Sequence, residues 1–517
     1  MEEAVEICKL RLFLNLVAQV DRVKDLEPLP DIDFNIRSGN ALVGFVSLDE
    51  IRRAAERDAA GQGRLIYGEI DQDIRRLEED AEIVERAFEK FHEMQSHLGM
   101  DAREFAEAKQ QLRGRLAKLS DELDRYLAGE YGIDPRKATA YDQWRRSHQP
   151  FHWFAEFYGT IRQGGFGLII GNPPYLEKSK LGDLYSVKRL RTLPCRDIYA
   201  WMVERSFSLS SRTGRLGLII PVSVASSGSF DELRDVISIQ SNLLWMAHFA
   251  NRPSQLFVGA QNRLTILLSA GHGPSAEAFS TCYQRWDGAH GGRGFLFHLL
   301  QYVQLGSLSR CFHGLYPKIG NPSAASVLRK LMNSRTISYF TVKKSRHALY
   351  WVRVPGYFCQ FFVDPPKARP TDGGPLRIRG EVNAICLPDA ASMRSAHCLL
   401  NSSTYYQFYT AYTDGRHINP SDVKDFPCDL TQIMDPVKKS LSNLSDELEE
   451  AMIENTKFWK KSGLLIESVD SRLTKYIIDK IDCFLSSHYG FTNEEFDFII
   501  NYDIKYRMGQ DDSSDTE

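Results

Sequence analysis

Apolar and polar positions recur along this chain with different periods, and each period predicts a different kind of element. From Glu2 to Gln19 the apolar residues Val5, Cys8, Leu12 and Leu16 return at steps of three and four, which predicts a helix, with Glu2 and Glu3 at the positive end of its dipole. After Leu26-Glu27-Pro28-Leu29-Pro30, the run Asp33-Phe34-Asn35-Ile36 followed by Ser38-Gly39-Asn40 predicts a short strand ending in a turn. From about Leu48 to Gly129 charged residues and alanine take over. Ile70, Ile74, Leu77, Ala81, Val84, Phe88 and Phe91 alternate steps of four and three, the seam of a coiled coil. Leu112, Leu116, Leu119, Leu123 and Tyr126 repeat the pattern after a break at Ser96-His97-Leu98-Gly99-Met100. Each seam needs a partner to bury it, so an antiparallel helical hairpin inserted into an α/β domain is expected. A separate role in oligomerisation is the alternative.

The pattern then changes again. Phe166-Gly167-Leu168-Ile169-Ile170 is a short unbroken apolar run suited to a strand buried on both faces. An amphipathic helix from Asp197 to Leu209, a Thr213-Gly214 turn and a strand over Arg215 to Pro221 follow, with further strands at Leu243 to Phe249 and Arg263 to Leu268. Such alternation predicts an open, largely parallel sheet with crossover helices. Beyond Gly271 short aromatic-rich strands and Gly/Pro turns suggest a second domain running to about Leu430. Helices are expected from Asp435-Pro436 to Thr456 and from Leu464 to His488.

With 517 residues, 43% apolar and 25% charged, the chain has the balance of a folded protein of roughly two to four domains. A net charge of −3 gives no overall attraction to nucleic acid, so any basic surface must be local. No apolar run approaches the roughly 20 residues that cross a bilayer, and the acidic start Met1-Glu2-Glu3 is unlike a signal peptide; a cytoplasmic protein with no membrane partner is expected. The nine cysteines are scattered without a C-x-x-C pair, which favours thiols and gives no metal site.

Candidate chemistry sits at the end of the Phe166 strand, where Gly171 is followed by Asn172-Pro173-Pro174-Tyr175. Ligands of doubly wound sheets meet the carboxyl ends of strands. The prolines fix φ and remove two donors, leaving a stiff backbone whose carbonyls can accept hydrogen bonds. The Asn172 side-chain oxygen and the Pro173 main-chain oxygen could hold the two hydrogens of an exocyclic amine, and Tyr175 offers a face on which an extruded base could stack. A tight turn with no chemistry is the alternative reading of Asn-Pro.

Phe166 to Tyr175 resembles the catalytic motif of amino-group DNA methyltransferases, and the wider chain resembles the methyltransferase region of type IIG restriction-modification enzymes. Asp197-Ile198-Tyr199 with Glu204, and Gly214 to Pro221, are similar to the segments that follow that motif. Asn251-Arg252-Pro253, Leu256-Phe257 and Gln261-Asn262-Arg263 resemble its later motif, in which an aromatic residue closes over the target base; Phe257 is the residue at that position, and an ordinary core aromatic is the alternative. The resemblance implies a Rossmann-like α/β methyltransferase and transfer of a methyl group from S-adenosylmethionine to adenine N6 of double-stranded DNA, within restriction-modification or a related phage-defence system. Asn as first residue of the tetrapeptide points to adenine more than to cytosine N4. A catalytically inactive DNA-binding remnant, or specificity-type protein, is the alternative.

The family holds its methyl donor with a Gly-rich loop after the first strand and an acidic residue after the second. Neither is found here, so no cofactor-binding residue is assigned. Gly61-Gln62-Gly63 has no strand before it, and Gly164-Gly165 precedes a strand instead of following one. The sheet is therefore expected to be incomplete, its first strands absent and the Phe166 strand left with an open edge. A second polypeptide carrying the donor-binding segment, or a truncated reading of a longer enzyme, is expected.

Between Arg310 and Arg379 the bases Lys318, Arg329, Lys330, Arg335, Lys343, Lys344, Arg346, Arg353, Lys367, Arg369 and Arg377 face only the acids Asp364 and Asp372, which suits a phosphate-facing surface. By resemblance this is the target-recognition position, and Lys343, Lys344, Arg346 and Arg353 are its candidate DNA contacts; a solvated basic face is the alternative. Arg416 joins them because Asp414 to Asn419 resembles a closing segment of the family. The expected division is a partial catalytic domain over 1–275 with the helical insertion at about 48–150, a target-recognition domain over 276–430, a C-terminal helical segment over 431–505 and a disordered tail over 506–517.

Overall fold

The computed structural model describes residues 2–20, 22, 34–56, 67–96, 102–182, 185–257, 261–274, 277–286, 293–433 and 435–508. It is a mixed α/β structure. A six-stranded sheet has the order β1-β2-β4-β3-β5-β6, where β1 is Phe166–Gly171, β2 Ser210–Pro221, β3 Leu243–Phe249, β4 Leu264–Ala270, β5 Glu277–Gln284 and β6 Val303–Gln304. β1 pairs with β2 and β3 with β5 in parallel, whereas β6 is antiparallel to β5, so the sheet is mixed. Two compact units form: Met1–Leu218 with Asp235–Asn242 and Leu268–Ser275, and Ile219–Arg234 with Leu243–Leu267 and Ala276–Glu517.

In the first unit the helix Glu2–Val17 forms as its periodicity predicts, yet Ile7, Leu10, Leu12, Phe13, Leu14 and Leu16 all remain exposed. The expected strand at Asp33 to Ile36 does not form. Asp33 lies outside the described residues, and Phe34 to Ile36 make a turn from which Phe34 plugs the helical insertion, edge-on to Phe88 and Phe91. That insertion is the expected hairpin of Tyr67–Ser96 and Ala102–Glu130, with Ile74, Leu77, Ala81, Val84, Leu112, Leu119 and Leu123 buried along its seam. Phe91 stacks on Phe105 towards one end, while the Tyr126 hydroxyl donates to Asp73 and Arg76 pairs with Glu122 towards the other, as antiparallel helices require. The break between the helices and the glycine pair at 61–63 lie outside the described residues.

His152 fastens the hairpin to the segment that precedes it. Its Nδ1 accepts from the Phe45 amide at 3.1 Å, so Nε2 carries the proton and donates to Asp124 at 3.1 Å. Arg205, on the helix Tyr199–Leu209, donates to the Leu42 carbonyl and faces Glu50.

Two strand expectations need correction. The strand expected from Arg215 starts earlier, at Ser210, and Thr213-Gly214 lies in an irregularity within it, where the pairing with β1 jumps from Ser210 to Arg215. β1 is not buried on both faces: Leu168 and Ile170, which share one face of the strand, are 59% and 77% exposed, and β1 is an edge strand among the described residues.

In the second unit, a three-stranded sheet runs β11-β7-β8, with β7 Ala348–Val352, β8 Phe361–Phe362 and β11 Val382–Cys386. A four-stranded sheet runs β10-β9-β13-β12, with β9 Lys367–Pro370, β10 Arg377–Ile378, β12 Thr456–Lys461 and β13 Leu464–Val469. β12 and β13 correct the expectation of an all-helical C-terminal segment: the helices Asp435–Glu454 and Lys475–Tyr489 form, but the second begins eleven residues later than Leu464 because a hairpin intervenes. The expected disordered tail also starts too early. Ile504–Arg507 is a helical turn, and Arg507 is buried with Nη1 donating to Ser403 at 2.9 Å and its guanidinium over the Phe358 ring; residues 509–517 lie outside the description.

Candidate active site and DNA-facing residues

β1 ends in Gly171, which pairs with Leu218 of β2, whose side chain a Cβ at 171 would approach to 3.1 Å. The chain then leaves the sheet as Asn172, exposed, Pro173, buried, Pro174, exposed, and Tyr175, half-buried. The Tyr175 hydroxyl donates to Asn172 Oδ1 at 2.7 Å. An amide oxygen has two lone pairs, so this bond orients Asn172 and leaves it able to accept a second hydrogen.

The tetrapeptide is held in place from behind. Lys178 N donates to Arg196 O at 2.8 Å and Ile198 N to Leu176 O at 3.0 Å, an isolated antiparallel bridge of two turns of chain. Asp197 Oδ1 accepts from both Leu176 N, at 3.0 Å, and Tyr199 N, at 3.1 Å, and so ties the residue after Tyr175 to the start of the helix Tyr199–Leu209. Burial pushes the Asp197 carboxyl up, against those amide donors. Burial, with the Asp197 carboxylate nearby, pushes the Tyr175 phenol up to about 12, so it stays a neutral donor at physiological pH. Glu204, one turn and a half further along the helix, accepts from Arg191 N, Thr192 N and Thr192 Oγ1 at 2.7 to 3.0 Å and anchors the intervening loop.

Gly165, at φ +108°, sits where a Cβ would lie 2.5 Å from the Leu209 carbonyl, so it packs against protein backbone. No group of His, Cys, Asp and Glu among the described residues could hold a metal ion, and none of their helices is long and apolar enough to cross a membrane.

Phe257 belongs to the second unit, in the loop between β3 and β4, and is 38% exposed beside the buried Leu256. Asn251 Nδ2 donates to Gln261 O at 2.8 Å across the base of this loop. Two residues on, Arg263 Nη1 donates to Asp414 O at 2.7 Å and pairs with its carboxylate at 3.2 Å. Asp414 in turn accepts from Arg416 N, His417 N and His417 Nδ1, fixing the turn that carries Arg416. Burial alone would raise the Asp414 carboxyl, but Arg263 and these donors outweigh it and hold it below the usual range.

Lys318, expected among the phosphate-facing bases, is instead buried, with Nζ donating to Ala411 O at 2.8 Å and Thr413 O at 2.7 Å. Burial brings its ammonium down to about 7, against the attraction of Asp414. Lys330 is likewise committed, to Glu495 and Gly490 O. Lys343, Lys344, Arg346, Arg353 and Arg416 are all exposed. Ile418 N donates to Arg353 O at 2.7 Å, which brings the Arg416 turn to the end of β7, whereas Lys343, Lys344 and Arg346 precede its other end. The five therefore form two groups.

Two features escaped the sequence reading. The Lys318–Asp414–Arg263 cluster could not be found from spacing, since its members are brought together only by the fold. The β12–β13 hairpin did carry a signal: Thr456 to Lys461 and Leu464 to Val469 flank Ser462-Gly463, both at positive φ, +48° and +77°, the two-residue turn that joins antiparallel strands.

Residues 1–257 match the family model described as Eco57I restriction-modification methylase. A Methanocaldococcus jannaschii protein named as a type II restriction enzyme and methyltransferase is 26% identical over 317 residues, covering 54% of this chain and 26% of its own length, so the chain spans about a quarter of that relative. Among solved structures, the type IIL restriction-modification enzyme MmeI in complex with DNA aligns over 76% of this chain and 62% of its own, at 11% identity and a TM-score of 0.39. The type IIG restriction endonuclease BpuSI aligns over 74% and 62%, at 10% identity and a TM-score of 0.26. Residues 1–257 of this chain are thus similar to the Eco57I restriction-modification methylase family.

Proposed function

We propose that this chain is the base-holding and DNA-reading part of a DNA adenine-N6 methyltransferase of the restriction-modification type. The observation that carries the reading is the Asn172 amide, oriented by Tyr175 at the end of β1 and backed by the Asp197 anchor. Two acceptors, Asn172 Oδ1 and the Pro173 carbonyl, would take the two hydrogens of the adenine amine and keep its nitrogen lone pair directed at the incoming methyl. Tyr175 and Phe257 would contact the faces of the extruded base. Nothing covalent is asked of the protein: it lowers the barrier by positioning and polarity.

S-adenosylmethionine, the donor that methylases of this kind use, would supply an electrophilic methyl group. No described residue is assigned to its pocket, and we infer that a further segment, on a second polypeptide or on a longer form of this one, provides it in a Rossmann-like sheet completed at the edge of β1. The edge position of β1 supports that reading: among the described residues it has β2 on one side and no strand on the other, and an unpaired strand edge invites a further strand. Double-stranded DNA is the expected substrate, with residues 276–430 reading it, within the catalytic, helical and tail divisions set out above.

The test is reconstitution. The chain is mixed with a polypeptide carrying a family-type donor-binding segment, and transfer of labelled methyl to duplex DNA is followed, with N6-methyladenine identified in the digest. Labelling that depends on Asn172 is expected. Labelling that persists in Asn172→Ala, or that appears on cytosine, defeats the reading.

A further inference from the structure

The four-stranded sheet β10-β9-β13-β12 has two unlike faces. In antiparallel pairs, residues opposite one another share a face and successive residues alternate. Trp459 stands opposite Ile466, Ile466 opposite Ala368, and Ala368 opposite Arg377, so one row crosses all four strands. Lys461, Leu464 and Pro370 form the next row on that face, and Lys457 lies on it two residues before Trp459. Lys457, Trp459, Lys461 and Arg377 are all exposed, Trp459 by 55%. An open groove of about 570 Å³ runs along this face, floored by Ala368, Pro370, Leu464 and Ile466 and edged by Arg377, Arg379 and Lys461, with Glu381 as its carboxylate.

The other face differs. There Arg369 sits over the Phe458 ring, Glu467 accepts from the Lys367 amide, and a second cavity carries Asp364, Glu449 and Glu467 beside the helix Asp435–Glu454. On this second face the bases Lys367, Arg369 and Lys460 are accompanied by the carboxylates Asp364, Glu449 and Glu467, whereas the groove of the first face holds Arg377, Arg379 and Lys461 against Glu381 alone.

We propose that the face bearing Lys457, Trp459, Lys461 and Arg377 is a second phosphate-contacting surface for duplex DNA, distinct from the two basic groups at the ends of β7. Charge complementarity selects the occupant: exposed cations around an apolar groove attract a polyanion, and an exposed indole gives flat apolar contact to sugars between phosphates. The surface could not be assembled from sequence, since its bases come from segments some eighty residues apart that meet only when β13 pairs with β9. The proposal rests on duplex DNA being the substrate.

The experiment measures affinity of the full chain for duplex DNA at several salt concentrations, without methyl transfer. Lys457→Ala/Lys461→Ala/Arg377→Ala should weaken binding roughly tenfold or more near 0.1 M salt and reduce the slope of log affinity against log salt by about 2 to 3, since each lost phosphate contact removes about 0.9. Trp459→Ala should weaken binding with the slope unchanged, because it removes no charge. Lys460→Ala, on the opposite face, should leave both unchanged. Equal slopes for parent and triple variant, or a triple variant that loses affinity for phosphatidylserine vesicles but not for DNA, overturn the proposal while leaving the methyltransferase reading intact. A parent chain that binds no duplex at any salt concentration overturns both. Far-UV circular dichroism establishes that the exposed substitutions leave the fold in place.

Discussion

The hydroxyl of Tyr175 donates to the side-chain oxygen of Asn172 at 2.7 Å, so the two ends of the candidate catalytic tetrapeptide are joined to each other before any base arrives. This separates two roles of Tyr175 that substitution can test. Tyr175→Phe keeps the ring and loses the bond; methylation by the reconstituted protein should fall only a few-fold. Tyr175→Ala removes the stacking face as well, worth about 1–3 kcal/mol per base, and should raise KM or Kd for DNA about five- to 150-fold. Asn172→Ala should lower kcat about a hundredfold or more, the cost of losing one preorganised polar group at a reacting centre. Equal losses for the Phe and Ala variants would show that the hydroxyl, not the ring, matters.

Asp197 touches no base in this scheme, yet it holds Leu176 N and Tyr199 N at once. Asp197→Ala should leave those amides without their acceptor, destabilise the chain by about 1–3 kcal/mol and lower kcat through a loosened tetrapeptide. Asp197→Asn keeps an oxygen acceptor and should rescue most of both losses. The measurements are urea midpoints and single-turnover methylation; an Asn variant as impaired as Ala would mean that the negative charge is essential.

The open edge of β1 predicts how the isolated chain behaves. Leu168→Lys/Ile170→Lys places charge on exposed positions and should reduce self-association in light scattering with little change in the melting temperature. The same variant should fail to form a complex with a donor-binding polypeptide in size-exclusion chromatography. Normal complex formation would move the docking site away from β1.

Lys318 makes stability depend on pH. Burial lowers its folded pKa to about 7 from the ordinary lysine value of 10.5, so the native state favours the neutral amine. Its contribution is therefore fully present above the unfolded pKa and is lost as pH falls through the folded value. Between about pH 7 and 10 the unfolded chain binds one proton more at this group, and stability gains about 1.4 kcal/mol per unit rise from it. The stability of the parent relative to Lys318→Met, read from urea midpoints at pH 7, 8 and 9, should rise with pH. A pH-independent difference would show that Lys318 stays charged when buried.

The sequence alone determined what depends on near neighbours. The four-three spacing of Ile74 to Phe91 and of Leu112 to Leu123 defines two helices and their need for each other, because both seams must leave water. The apolar run after Gly165 defines β1, and Asn172-Pro173-Pro174-Tyr175 is a stiff exit from it whatever the rest of the chain does. Only the tertiary structure decided where long-range pairing set the outcome. Phe34 has the same local pattern whether it enters a strand or plugs a hairpin; the presence of Phe88 and Phe91 around it chose the plug. Lys318 reads as one base among many until the Ala411 and Thr413 carbonyls enclose it. Leu464 to Val469 suits the start of a helix or a strand, and the exposed hydrogen-bonding edge of β9 together with the Ser462-Gly463 turn made it a strand, gathering distant bases on one face of a sheet.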